Sequence, residues 1–140
     1  MSREIEFRGK RVDNNEFIFG SLIVDEISDK HYIAISVEKS ERIGEEGCLK
    51  VISCEVDKET VGQYTGVKDK NGKEIYEGDI LKDEFNRIFI VYWVEKEARF
   101  SMRQKNRKTE YFMFINHLSE EVIGNIYDNP ELWEKGDNQC

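Results

Sequence analysis

Apolar side chains fall at every second position along most of this chain. Ile5 and Phe7 alternate with Glu4, Glu6 and Arg8, and Phe17 and Phe19 alternate with Glu16 and Gly20 before the run continues through Leu22 and Val24. A period of two puts one set of side chains on one face, so each run reads as a strand with one buried side. The same reading extends to 31–37, 48–56, 61–65, 79–83, 87–94, 98–103 and 111–115, all rich in β-branched or aromatic residues. About ten short strands at such spacing predict an all-β fold of short antiparallel strands, a partly open SH3-like barrel with a second small sheet. In 88–94, Phe89, Val91 and Trp93 share one face while Ile88, Ile90, Tyr92 and Val94 share the other. That strand is expected to be covered on both sides, either at the centre of a sheet or by another chain.

Turn chemistry separates the runs. Asp13-Asn14-Asn15 and Asp69-Lys70-Asn71-Gly72 each carry residues that tolerate the left-handed backbone of tight hairpins, and both are expected to be hairpin turns. Glu77-Gly78-Asp79 reverses the chain into Ile80-Leu81. Helix is scarce. Asn129-Pro130-Glu131 sets a capping residue, a first-turn proline and an acid in the order that starts one short C-terminal helical turn. A second helical candidate spans Ile115 to Glu121, Glu41 to Gly47 reads as a loop, and 136–140 as a frayed tail.

Three stretches together resemble the YopX family of proteins encoded by phages and prophages of Gram-positive bacteria. The first is Ile5-Glu6-Phe7-Arg8-Gly9-Lys10-Arg11 with Phe19-Gly20-Ser21. The second runs from Val56-Asp57 through Thr60-Val61-Gly62-Gln63-Tyr64-Thr65-Gly66 to Asp69-Lys70-Asn71-Gly72-Lys73-Glu74-Ile75-Tyr76-Glu77-Gly78-Asp79-Ile80. The third is Val122-Ile123-Gly124-Asn125-Ile126-Tyr127 with Asn129-Pro130-Glu131-Leu132. The resemblance implies one mainly β domain over 1–135, divisible into an N-terminal lobe 1–56 and a C-terminal barrel 57–128. It also implies a homo-oligomer, with a hexamer associated with the family, and it brings no catalytic residue onto this chain.

Composition narrows the function. A domain of 140 residues can bury roughly two thirds of its unfolded surface without a metal or disulfide. The net charge of -8, shared evenly between the two halves, leaves no basic arm for coating a polyanion. Charges at Arg3, Glu4, Glu6, Arg8 and Lys10 leave no apolar core for a signal peptide. The longest apolar runs, such as Ile88 to Val94, fall far short of a membrane span. The three cysteines, Cys48, Cys54 and Cys140, form no CxxC pair and read as reduced thiols. The expected location is the cytoplasm of a bacterial host cell.

Few residues suggest chemistry. His31, His117, Cys48 and Cys54 lack the paired spacing of a zinc site, and neither histidine lies beside a nucleophile pattern. The acidic pairs Glu45-Glu46, Asp83-Glu84 and Glu120-Glu121 are expected to be solvated, and Cys48 and Cys54, six apart, to be small core hydrophobes. No cofactor, metal, small-molecule ligand or enzymatic activity is expected. Against the acidic background, Arg99, Arg103, Lys105, Arg107 and Lys108 form a run without an acid, near Phe100, Tyr111 and Phe112. Such a hairpin could hold nucleic acid, meet an acidic patch of a neighbouring subunit, or be a solvated loop. Trp93 and Trp133 are the expected interface anchors. The leading expectation is a non-enzymatic, self-assembling interaction module, and the alternative is a nucleic-acid-binding accessory protein using 99–108.

Overall fold

A computed structural model describes residues 3–107, 110–112 and 119–134, with the backbone alone at 110–112. Ten strands account for most of it: β1 (Phe7–Arg11), β2 (Phe17–Asp25), β3 (Lys30–Lys39), β4 (Leu49–Lys68), β5 (Glu74–Tyr76), β6 (Asp79–Lys82), β7 (Ile88–Val94), β8 (Arg99–Gln104), β9 (Glu110–Phe112) and β10 (Glu121–Asn125). A short helix, α1 (Pro130–Glu134), follows at the expected proline. The strands form two antiparallel sheets, as the period of two requires. The chain divides into two compact units, Ile5–Gln63 and Tyr64–Cys140 with Met1–Glu4.

In the first unit the sheet partly closes on itself. β1 pairs with β2, β2 with β3, β3 with β4, and β4 with β1 again. The expected turn at 13–15 connects β1 to β2, with Asn15 at φ 60°. Ile33 and Val56 are fully enclosed, while Gly9 and Gly20 let strands approach closely. A β-carbon at Gly20 would be driven into the carbonyl oxygen of Ala34, just where β2 passes from pairing with β1 to pairing with β3.

The sequence pattern splits 48–56 from 61–65, yet one continuous strand, β4, covers both. The polar stretch between them becomes a bulge. Arg8 pairs with Gly62 and Lys10 with Asp57, so two steps along β1 span five along β4. Thr60 secures the excursion: its hydroxyl accepts the Lys10 N–H at 2.9 Å and donates to the Asp57 carbonyl at 2.6 Å.

In the second unit the strand order is β10-β6-β7-β8-β9, and the end of β4 pairs with β5. The 69–72 turn joins that pair, with Gly72 at φ 83°. Val67, Ile75, Leu81, Phe89, Val91 and Met102 make one core, with Val122 packed against it. β7 is the central strand, as its two-sided pattern predicts, although Trp93 at its end is exposed. The chain reversal at 77–78 is held by Asp79, whose buried carboxylate accepts the Tyr76 N–H at 2.8 Å. Two expectations change at the C-terminal side. Residues 121–125 form β10, an unexpected strand, because Val122 pairs with Leu81 beside the core. The helical candidate at 115–121 therefore ends in strand, and its residues 115–118 lie outside the described residues, as do 113–115 of the expected strand and the 136–140 tail.

Closure of the first unit at Gly20 is directly testable. Gly20→Ala is expected to cost about 1–3 kcal/mol, the range for forcing atoms into a filled site. A urea unfolding midpoint equal to that of the unmodified chain would show that the strands can separate there freely.

Candidate functional site

β8 carries most of the basic run. Arg99, Ser101 and Arg103 alternate along one face and pair across the ladder with Val94, Tyr92 and Ile90. Arg103 is exposed, and its guanidinium carbon lies 4.6 Å from the Tyr92 ring centroid, a cation–π arrangement. Arg99 is ion-paired with Glu97 and bonded to the Ser101 hydroxyl. The Lys105 ammonium donates to the Leu132 carbonyl at 2.8 Å, tying the end of this hairpin to α1. Arg107 is exposed in the turn that follows β8, and Lys108 lies outside the described residues. Three of the five predicted cations thus meet neighbours within their own unit.

The two tryptophans differ. Trp93 is 39% exposed, lies edge-on to Phe100 with centroids 4.9 Å apart, and donates from Nε1 to Glu95 at 3.0 Å. Trp133 is half-buried on α1. His31 lies opposite Val24 and Val56 with Nδ1 buried and unbonded, while His117 and Cys140 lie outside the described residues. Cys54 is half-buried opposite Ile33, but Cys48 is exposed, so only one of the two thiols approaches the expected core role.

A different surface draws attention in the first unit. Past Ala34 on β3 and before Ser53 on β4, the two strands continue as a two-stranded ribbon, with Ser36 opposite Ile52, Val37 opposite Val51, Glu38 opposite Lys50 and Lys39 opposite Leu49. Ile35, Val37, Leu49, Val51 and Ile52 are all at least 40% exposed, and Ile43 in the connecting loop is fully exposed. The alternation in the sequence marks these positions as strand, but it has no means of showing that the ring ends before them.

The acids behave less uniformly than expected. Asp69 is buried: Oδ1 accepts the N–H groups of Asn71 and Lys73 at 2.8 and 2.9 Å, and Oδ2 accepts that of Val122 at 2.9 Å. Burial pulls its pKa upward, but the Val122, Lys73 and Asn71 amides outweigh it and hold the carboxyl below the ordinary range. Asp83, also buried, accepts the Phe85 and Arg87 amides and the Arg87 side chain. Against burial, those bonds lower its pKa as well. Glu120 moves the other way, raised by burial and then by the charge of Asp83. These carboxylates build turns and anchor strands. An Asp two residues before Asn-Gly, or before Phe-Asn, was the available signal for them.

A profile of the family described as YopX protein matches residues 6–134. The chain belongs to the YopX family. Among solved structures, protein EF1440 from Enterococcus faecalis is similar, with a TM-score of 0.60 and 25% sequence identity, covering 95% of this chain and 100% of that one. No curated protein matches the chain. The YopX match takes in the three stretches that carried the resemblance from Glu6 onward, and both the β8 face and the ribbon fall inside it. No helix among the described residues is long and apolar enough to cross a membrane.

The turn carboxylates predict an acid-sensitive fold. With a folded pKa below the unfolded one, Asp69 and Asp83 contribute stability that is present above the ordinary carboxylate pKa of 3.8 and lost as pH falls through their depressed values. Glu120 has the opposite sign: its contribution is complete below 4.5 and lost as pH rises through its raised value. Asp69→Asn leaves the Val122 N–H facing an amide donor and is expected to cost about 1–3 kcal/mol near neutral pH. That difference should shrink as pH falls below 3.8 and through the depressed pKa of Asp69, where the unmodified carboxyl also gains a proton. Urea midpoints with a constant difference across that range would rule the account out.

Proposed function

We propose that this protein is a non-enzymatic, self-assembling interaction module of the phage or prophage type. The observation that carries the proposal is the exposed apolar surface of the first unit. Phe19, Ile23, Val24, Ile35, Val37, Leu49, Val51 and Ile52 all present substantial area to solvent. Scattered apolar residues are ordinary on a surface, but a row of them along one ribbon marks a place where another surface packs. The reading as a non-enzyme draws support from the carboxylates, because Asp69, Asp79 and Asp83 are committed to backbone amides. Assembly with copies of itself follows the family resemblance, and a hexamer is its specific form. At micromolar concentration, multi-angle light scattering is expected to give an integral multiple of the chain mass. A strict monomer would remove the proposal.

A second reading, nucleic-acid binding through β8, has one specific observation in its favour: exposed Arg103 stacks on Tyr92 along the face that also carries Arg99. Five phosphate contacts would give a slope of log affinity against log salt of about -4.5. Because Arg99 and Lys105 already have partners in the protein, a shallower slope is expected from this surface. Fluorescence anisotropy with a single-stranded oligonucleotide at low salt decides it. Binding lost on reversing Arg103 and Arg107 to Glu supports the reading, and absent or unaltered binding ends it.

A further inference from the structure

We infer that the outer edge of β4 over residues 49–53 is the joint between two copies of this chain, paired antiparallel about a two-fold axis through Val51. The inference rests on the self-assembly proposed above and specifies its contact. β1 covers the other side of β4 only from Val56 onward, and β5 pairs beyond Tyr64. From Leu49 to Ser53, among the described residues, β4 is hydrogen-bonded on its β3 side alone.

The direction of the free groups follows from two bonds. The Cys48 carbonyl accepts the Ser40 N–H at 3.1 Å and so faces the β3 side, whereas the Glu55 carbonyl accepts the Val12 N–H at 3.2 Å and so faces away from β3. Successive residues of an antiparallel strand turn their amide and carbonyl to opposite sides. The seven steps from Cys48 to Glu55 fit an unbroken alternation, which points the backbone groups of Leu49, Val51 and Ser53 outward. An edge of this kind is a template for another strand.

Register follows from what would then stand opposite. With Val51 facing Val51 of the second copy, Leu49 faces Ser53, Lys50 faces Ile52 and Cys48 faces Cys54. No like charges meet. A two-fold axis at Lys50 would set two ammonium groups against each other, and axes at Ile52 or Ser53 would require Glu55, whose carbonyl is already bonded to Val12. Because Val37 lies opposite Val51, the joined sheet carries a row of four valines, Val37 and Val51 from each copy, flanked by Leu49. Charge favours the same place. Residues 35–52 hold Glu38, Glu41, Glu45 and Glu46 against Lys39, Arg42 and Lys50, a net of -1 in a chain of -8. A second copy therefore meets this ribbon with little repulsion.

The cysteines supply the test. In this register Cys48 and Cys54 form non-hydrogen-bonded pairs between copies, whose α-carbons lie about 4.5 Å apart and within disulfide reach. Within one chain they are six residues apart along a strand, about 20 Å, and cannot join. In a Cys140→Ser background, the full chain is treated with diamide, which takes two electrons and two protons for each disulfide formed. The background protein is expected to give a covalent dimer. Cys48→Ser alone and Cys54→Ser alone should give none, and a mixture of the two should restore it through a single bridge. Val51→Glu should abolish the cross-link while circular dichroism stays unchanged, since Val51 is 43% exposed. A scattering multimer without this pattern, or a cross-link formed by Cys54→Ser alone, overturns the joint and leaves self-assembly standing. A monomer overturns both.

Discussion

Backbone amides and carbonyls that leave one neighbour must find another, and this constraint shapes the first unit more than any side chain does. β1 answers it by pairing on both edges, with β2 on one side and β4 on the other. The double pairing demands close approach, which explains why Gly9 lies against Val56 and Gly20 against the Ala34 backbone. It also demands a bulge, because a five-residue strand cannot follow a much longer one through a closing ring without a step in register. Thr60 and Asp57 supply hydrogen bonds at that step. Where β1 ends, the solution ends too, and β3 and β4 run on with no further strand beside them among the described residues.

The second unit meets the same constraint with carboxylates. Asp69, Asp79 and Asp83 each accept amides that the ladders leave over at the turns. Asp69 reaches further than its own turn, since its second oxygen takes the Val122 amide and so fixes the start of β10 beside the core. A buried charge is costly without such bonds, and three donors make it favourable.

Much of this was legible in advance because strand period and turn chemistry are local. The hairpins at 13–15 and 69–72, the central position of 88–94 and the helical start at Pro130 are set by residues within a few positions of one another. What escaped depends on distant neighbours. Val122 and Ile123, flanked by glutamates and a glycine, look too short for a strand until Leu81 is beside Val122. The interruption at 57–60 reads as a boundary until Lys10 meets Thr60. The basic run is visible as composition, but that Arg99 turns to Glu97 and Lys105 to Leu132 is a property of the folded hairpin. The exposed ribbon escaped for the same reason: Val37 and Leu49 have the spacing of buried residues, and exposure follows only from where the ring stops.

The ribbon's length matters as much as its composition. Four paired positions extend about 14 Å at the usual rise per residue, well beyond one Debye length at physiological salt. Two molecules that meet along such ribbons keep the charge of their respective rings largely screened from each other, whereas contact through a ring wall would press like-charged surfaces together. In the proposed pairing, a chain of net charge -8 would gain from this separation. The same extension that leaves the edge unpaired thus lowers the electrostatic cost of pairing it. An open edge is a hazard when it accepts any strand. In the proposed pairing, Lys50, set against its own copy in the neighbouring register, and Glu55, already bound to Val12, would restrict the registers available.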